Sequence, residues 1–272
     1  MTPPLHSDDA SHQTPQDIQY DIDGQIAIIR LNRPEKLNSL GPGMLDLYAT
    51  LLRRADSDPD VRAIVVTGNG RGFCAGADLS MLAAGPDALR AYIDQQDPDS
   101  GPAMVFALST PVVTAINGPC AGLGFVLAVC ADHRFVHPDA SLSSTFSRLG
   151  LVAEYGISWV LPRLVGLPHA TDLLLTGRTI TGREAAAMGL AHESEDPFAA
   201  AIEWARSVAD NCSPASIAYM KRALLVDSST SLHDCMVTTL ELMAQAFDGA
   251  DLEEALQARS EKRPPRFAPW RP

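Results

Sequence analysis

Apolar and polar residues alternate over Ile18-Gln19-Tyr20-Asp21-Ile22, and an apolar run resumes from Gln25 to Leu31 after Asp23-Gly24. An Asp-Gly step between two such runs predicts an antiparallel hairpin. The polar stretch NRPEKLNSLGPG follows, after which Met44, Leu47, Tyr48, Leu51 and Leu52 recur at helical spacing and predict an amphipathic helix to about Arg54. An acidic turn around Asp58-Pro59-Asp60 leads into a strand over 62–67, whose centre, Ala63-Ile64-Val65-Val66, is short and wholly apolar. Val112 to Ile116 is a second run of that kind, too short for a helix, and a further strand is expected from 133. Between them, Cys120 to Ala131 is small or apolar and uncharged, which predicts a buried helix. The stretch from Pro86 to Leu108 is more polar, with DQQDPDSGP in its middle. It reads as a mobile surface connection, and such connections are also where ligands enter.

Beyond Gly166 the pattern turns helical, at 168–176, 182–188, 197–211, 214–226, 230–247 and 251–258. Strand–helix units followed by helices predict an α/β fold with layered, mostly parallel strands. The expected organisation is a disordered, polar tail over 1–15, an α/β core over 16–200 that holds the site and a C-terminal helical region over 201–272. From Ser231 onward, Leu232, Cys235, Met236, Leu240, Leu242, Met243 and Phe247 give more apolar surface than one solvated helix needs. Some of it is expected to pack on another subunit or back over the core.

Both short apolar strands end in glycine turns that open onto small residues. The first is Gly68 to Ser80, GNGRGFCAGADLS; the second begins at Asn117-Gly118-Pro119 and continues as Cys120-Ala121-Gly122-Leu123-Gly124. A helix start carries unpaired N–H groups and partial positive charge, and small residues let a ligand come close to them. Two such turns offer two N–H donors, the requirement for holding a carbonyl oxygen as it gains charge. Close helix–sheet packing through glycine accounts for either turn taken alone.

Composition narrows the partners. A 272-residue chain that is 46% hydrophobic can bury a sizeable core. Its net charge of −12 argues against a nucleic-acid or anionic membrane surface, so a polyanionic ligand would need a local basic cluster. No segment reaches the ~18 consecutive apolar residues of a membrane span, and the first seventeen residues contain no apolar core of a signal peptide. The five cysteines are scattered and form no CxxC pair, as expected of reduced, buried thiols in a cytoplasmic protein. Cys74 and Cys120 lie in the glycine turns without a partner base, so packing is their expected role.

Several chemistries are excluded by spacing. His133 and His137 are four apart in a segment that reads as strand, which sets them ~13 Å apart along it and predicts no shared metal. No GxSxG elbow is present for a serine nucleophile, and Gly122-x-Gly124 lacks the rest of a dinucleotide fingerprint. Between Asp139 and Pro168 the only carboxylate is Glu154, followed by Tyr155-Gly156 and the apolar Ile157, Trp159, Val160 and Leu161. A carboxylate against an apolar wall has a raised pKa, as a general acid/base requires; a helix cap or surface glutamate is the plainer alternative.

RGFCAGADL together with NGPCAGLGFVLAVCAD, the two turns lying about forty residues apart, resembles the paired signature of the crotonase (enoyl-CoA hydratase/isomerase) superfamily. The resemblance implies a spiral of ββα units, C-terminal helices that cover the site and build trimers pairing into hexamers, and an acyl-CoA thioester as substrate, with no cofactor beyond the coenzyme A it carries. Carried onto this sequence, it implies that the N–H groups of Ala77 and Leu123 are the oxyanion donors. It also implies substrate contacts from Lys36, Leu37, Ala75, Gly76, Asp78, Leu79 and Gly122, and basic residues for the CoA phosphates in the stretches holding Arg33 and Lys36 and, near the C-terminus, Lys262, Arg263 and Arg266. Phe146, Leu149 and Trp159 are candidates for the acyl pocket, although each would serve equally as core.

The sequence departs from the family's hydratases at both catalytic glutamates, where it has Val126 and Phe146. Glu154 falls where the family's isomerases carry a carboxylate. The expectation is therefore an enoyl-CoA double-bond isomerase with Glu154 as acid/base. Hydration, hydrolysis, decarboxylation or another lyase reaction on the same scaffold, and a non-catalytic CoA-binding or assembly role, remain as alternatives.

Overall fold

The computed structural model describes residues 17–94, 101–227 and 230–270. The expected tail over 1–15, and most of the polar centre of the 86–108 connection, lie outside the described residues.

The hairpin forms as expected: β1 (Ile18–Asp23) and β2 (Ile26–Leu31) pair antiparallel, with Ile18 opposite Leu31. Helix α1 (Met44–Ser57) then leads to β3 (Ala63–Gly68), which returns parallel to β2. Two short helices, α2 (Leu79–Leu82) and α3 (Pro86–Asp94), precede β4 (Val112–Ile116). A two-residue strand β5 (Cys120–Ala121), helix α4 (Leu123–Val129), β6 (His133–Val136) and β7 (Ser141–Ser143) follow. The chain continues through α5 (Ile157–Thr176), β8 (Ile180–Thr181), α6 (Gly182–Ala187), β9 (His192–Glu193) and α7 (Pro197–Asn211). It ends in α8 (Pro214–Asp227), α9 (Leu232–Phe247) and α10 (Asp251–Glu261).

The main sheet has the order β1-β2-β3-β4-β6-β9, parallel from β2 onward, and β5-β7-β8 form a second, smaller sheet. β3 and β4 are buried at every position, and alternate side chains feed two different layers. Ile29, Leu31, Ile64, Val66, Val112 and Ile116 face the large core with α1 and α4; Ile26, Ile28, Ala63, Val65, Val113 and Ala115 face α7. Burial on both faces explains why these strands read as unbroken apolar runs. Ala201, Ile202 and Ala205 of α7 complete the second layer. The expected division at 200/201 therefore falls inside a helix that belongs to the core.

Three expectations change. Helix α4 starts at Leu123, because Cys120 and Ala121 pair with Leu142 and Ser143 instead of beginning the helix. The helix expected at 168–176 begins at Ile157, with a break at Gly166 (φ 76°, ψ 157°); Ile157, Val160, Leu161 and Val165 bury one face of the unexpected half. The 86–108 segment, read as a connection, contains α3 and a buried 3₁₀ turn over Pro102–Ala107.

Candidate active site

Both glycine turns leave the carboxyl ends of parallel strands, where open α/β sheets place their ligands. The first is zipped to the loop between β2 and α1. Ala75 N–H donates to the Leu37 carbonyl at 2.9 Å, Leu40 N–H to Gly76 at 2.7 Å, and Asp78 N–H to Leu40 at 2.9 Å. This pattern makes Ala77 the parallel bridge partner of Leu40, so the Ala77 N–H points away from the Leu40 strand. On the other side the second turn docks, with Cys74 bridged to Cys120 and Ala121 N–H donating to the Cys74 carbonyl at 2.9 Å.

Two glycines allow this close approach. A Cβ on Gly76 (φ +97°) would lie 2.8 Å from the Ala121 carbonyl oxygen and 3.5 Å from the Leu123 nitrogen. One on Gly124 would lie 2.1 Å from the Cys74 carbonyl oxygen. Leu123 is the first residue of α4, so its N–H has no partner inside the helix. Among the described residues, neither the Ala77 nor the Leu123 N–H makes a hydrogen bond. Cys74 and Cys120 are fully buried between the turns. Burial pushes the Cys74 thiol up to about 12 and the Cys120 thiol well above its ordinary value, which suits packing and not reactivity.

Glu154 sits on the loop before α5, where Tyr155 (φ 52°) and Gly156 (φ 69°) both take left-handed backbone. A tyrosine in that region is strained, and strain of this kind gathers at functional sites. The Tyr155 ring packs over Gly101, where a Cβ would come within 2.6 Å of it. The Glu154 carbonyl accepts from Ile157 N–H at 3.2 Å, while its carboxylate has no hydrogen bond or ion pair among the described residues. Burial raises its pKa.

A cavity of about 290 Å³ brings these parts together, lined by Ala77, Met81, Leu89, Ile93, Leu123, Leu151, Val152 and Glu154. Glu154 is the only ionisable side chain among its lining residues. The apolar wall was not legible as such: Met81, Leu89 and Ile93 come from α2 and α3, in and beside the segment read as polar. Their helical spacing was the available signal. The expected wall at Trp159 is a correction, because Trp159 is half-exposed and stacks under the Arg163 guanidinium, 3.6 Å from the ring centroid. Phe146 is buried in the core and Leu149 is exposed, and neither lines the cavity.

The remaining expected contact residues lie on and around the two turns. Gly122 (φ 53°) forms the N-cap of α4 and Ala75 backs the first turn. Leu37 (φ 51°) packs on Gly72, and Leu79 is exposed. Asp78, expected to meet substrate, has a buried carboxylate that accepts from Arg33 at 2.9 Å and Lys36 at 3.0 Å. The stretch carrying Lys262 ends with Phe267 accepting a hydrogen bond from Arg62, at the amino end of β3. The loop carrying Lys36 lies beyond the carboxyl end of that strand, so within one chain the two lysine stretches sit at opposite ends of the sheet. His133 packs against His192 and Trp204, and His137 approaches Glu195 at 3.8 Å.

The profile of the enoyl-CoA hydratase/isomerase family matches residues 21–269. A Rhodobacter capsulatus protein named "Probable enoyl-CoA hydratase" is 34% identical over 252 residues, spanning 92% of this chain and 97% of its own. The crystal structure of an enoyl-CoA hydratase from Bacillus anthracis superposes with a TM-score of 0.88 at 31% identity, over 94% of this chain and 100% of that one. A "probable enoyl-CoA hydratase/isomerase" from Mycobacterium abscessus gives 0.83 at 30% identity, over 93% and 99%.

Proposed function

The chain belongs to the enoyl-CoA hydratase/isomerase family, and on that premise we propose that it moves the double bond of an enoyl-CoA thioester, with Glu154 as the acid/base. One observation carries this reading: the unpaired, desolvated Glu154 carboxylate faces the same cavity as the two free donors, Ala77 and Leu123. The thioester oxygen of a 3-enoyl-CoA would lie between those N–H groups. Glu154 takes the C2 proton as the C2–H electrons form the C1–C2 double bond and the thioester C=O π electrons move onto oxygen, giving a dienolate whose collapse forms the C2–C3 double bond as the C3–C4 π electrons take a proton at C4. Charge delocalised onto the thioester oxygen in the intermediate is met by the two donors. The protonated Glu154 then returns its proton to C4, and the 2-enoyl-CoA leaves with no net change in protons. A raised pKa suits both halves of this cycle.

Hydration is the second reading, favoured by the names of the relatives. It requires a base for water and an acid for C2. The two positions at which the resemblance implies glutamates hold Val126 and Phe146, both buried among apolar neighbours, so Glu154 alone would serve both roles.

Coenzyme A would enter as part of the substrate, with Lys36 at one end of the phosphate site. Lys262 would reach that site only from a neighbouring subunit. The proposed trimer or hexamer draws support from α9, where Leu232, Met236, Leu240, Met243 and Phe247 are 52–78% exposed along one helix. Glu154→Gln keeps the shape and removes the base. It should lower 3-enoyl to 2-enoyl conversion by ~10² or more and abolish exchange of the C2 proton with deuterated solvent, while acyl-CoA binding persists. Near wild-type turnover in that variant, or a wild type that hydrates 2-enoyl-CoA but leaves 3-enoyl-CoA untouched, would refute the isomerase reading.

A further inference from the structure

The Asp78 carboxylate is adjacent in sequence to the first donor and is fully occupied. One oxygen accepts from the Ser80 N–H at 3.1 Å and the Ser80 hydroxyl at 2.9 Å, which caps α2. The other accepts from Arg33 at 2.9 Å and Lys36 at 3.0 Å. Its side chain is 10% exposed, and that of Arg33 is 14% exposed. Arg33 is itself fixed: its guanidinium donates to the Ser39 carbonyl at 2.8 Å, and its N–H donates to the Asn38 side chain at 2.8 Å. Asn38, fully buried, reaches across to the carbonyls of Asn69 and Gly72. The Leu37–Leu40 segment held in this way supplies the backbone partners that orient residues 75–78.

We propose that Asp78 is a positioning residue that sets the direction of the Ala77 N–H by clamping the Arg33–Lys36 loop and the start of α2 to either side of it. This rests on the reading that Ala77 and Leu123 receive the thioester oxygen. The clamp joins the Arg33–Lys36 loop to the start of α2 at one carboxylate. Without its charge, Arg33 stays buried without a counterion and the Leu37–Leu40 strand loses its anchor. The Ser80 donors and the two cations also hold the Asp78 carboxyl well below the usual carboxylate range, so the clamp remains charged throughout the neutral region.

The test is Asp78→Asn, which keeps the size and one acceptor, alongside Lys36→Met, which removes one clamp cation and leaves the Arg33 pair. Gly24→Ala, in the remote hairpin at φ +60° with nothing within 4 Å of the added carbon, is the control for general destabilisation. Two readouts separate positioning from folding: kcat against KM on the best enoyl-CoA, and the thioester carbonyl stretch of a bound, unreactive saturated acyl-CoA. Asp78→Asn should lower kcat by about tenfold to a hundredfold with little change in KM, and move the carbonyl stretch back toward its value in water. Lys36→Met should lower kcat and move the carbonyl stretch in the same direction to a smaller extent, with KM also rising because Lys36 stands at the phosphate site, which keeps the test decisive if Asp78→Asn does not fold. Gly24→Ala should change neither readout.

A wild-type carbonyl stretch that differs from water and is retained in both clamp variants overturns the role of Asp78 alone. So does a Lys36→Met effect confined to KM. A wild-type stretch equal to that in water overturns the oxyanion reading on which the inference rests. Because the ligand is saturated, this readout does not depend on which reaction Glu154 carries out.

Discussion

Gly76→Ala tests whether contact between the two turns creates the donor pair. At φ +97° an alanine is strained, at a cost of about 1–3 kcal/mol. Its Cβ would also lie 2.8 Å from the Ala121 carbonyl oxygen, against an ordinary contact of 3.4 Å, so the turns must separate by about 0.6 Å, the difference between the two. A donor displaced by that amount stretches a hydrogen bond of about 2.9 Å to about 3.5 Å, where little of it remains. Loss of one oxyanion donor is worth ~2.7–4 kcal/mol, or ~10²–10³ in kcat. Gly76→Ala should therefore lose about a hundredfold in kcat on the best enoyl-CoA, change KM far less, and melt several degrees lower. Gly24→Ala carries similar backbone strain without the contact, and should lose stability while keeping kcat. The assay is steady-state turnover with thermal unfolding on the same preparations. If Gly76→Ala keeps kcat within about threefold, a change under ~1 kcal/mol in barrier, the turn contact does not build the donor pair and the reasoning fails.

Two further outcomes follow from the same geometry. Burial raises the Glu154 pKa, so the folded protein holds this proton to higher pH than the unfolded chain does. The ionised carboxylate then costs stability that is absent below about pH 4, where both states are protonated, and grows as pH rises through the folded-state pKa. Glu154→Gln should be the more stable protein at pH 7, with the advantage vanishing near pH 4; thermal melts across that range that show an equal or lower Tm throughout would contradict it. Leu240→Glu places a charge in the middle of the exposed apolar face of α9, and sedimentation should report a smaller mass than wild type, whereas unchanged mass would remove α9 from the subunit interface.

What was legible in the sequence divides by the range of the interaction that fixes it. The buried strands could be read because an all-apolar run of five or six residues has few other uses, and both faces of β3 and β4 are indeed covered. The two turns could be read because their glycines mark where one backbone touches another. Glu154 stood out as the one carboxylate in a long apolar stretch. The errors share a different cause. The start of α4 moved to Leu123 because β7, some twenty residues on, takes Cys120 and Ala121 as strand partners. The first half of α5 lay outside the expected helix at 168–176; tertiary burial of Ile157, Leu161 and Val165 sustains it across Pro162. The ion pairs of Asp78 were hidden too, because its partners, Arg33 and Lys36, are 45 and 42 residues away.

Those ion pairs bear on the chemistry. The two proposed donors are backbone groups, which only a proline substitution removes outright, so the side chains around them determine how they point. Gly76 and Gly124 do this by absence, letting the turns approach, and the Asp78 clamp does it by attraction, holding the far side of the first turn. The proposed base is arranged in the opposite way. Glu154 has no partner for its carboxylate among the described residues and is left against Leu151, Val152, Leu89 and Ile93 in the cavity wall. A group that must take up and give back a proton gains from weak solvation, whereas donors that must meet developing charge gain from rigidity. The proposed reading has the fold supply both within one cavity, with the Ala77 and Leu123 N–H groups on turns locked between neighbouring segments and Glu154 on a strained loop ahead of α5.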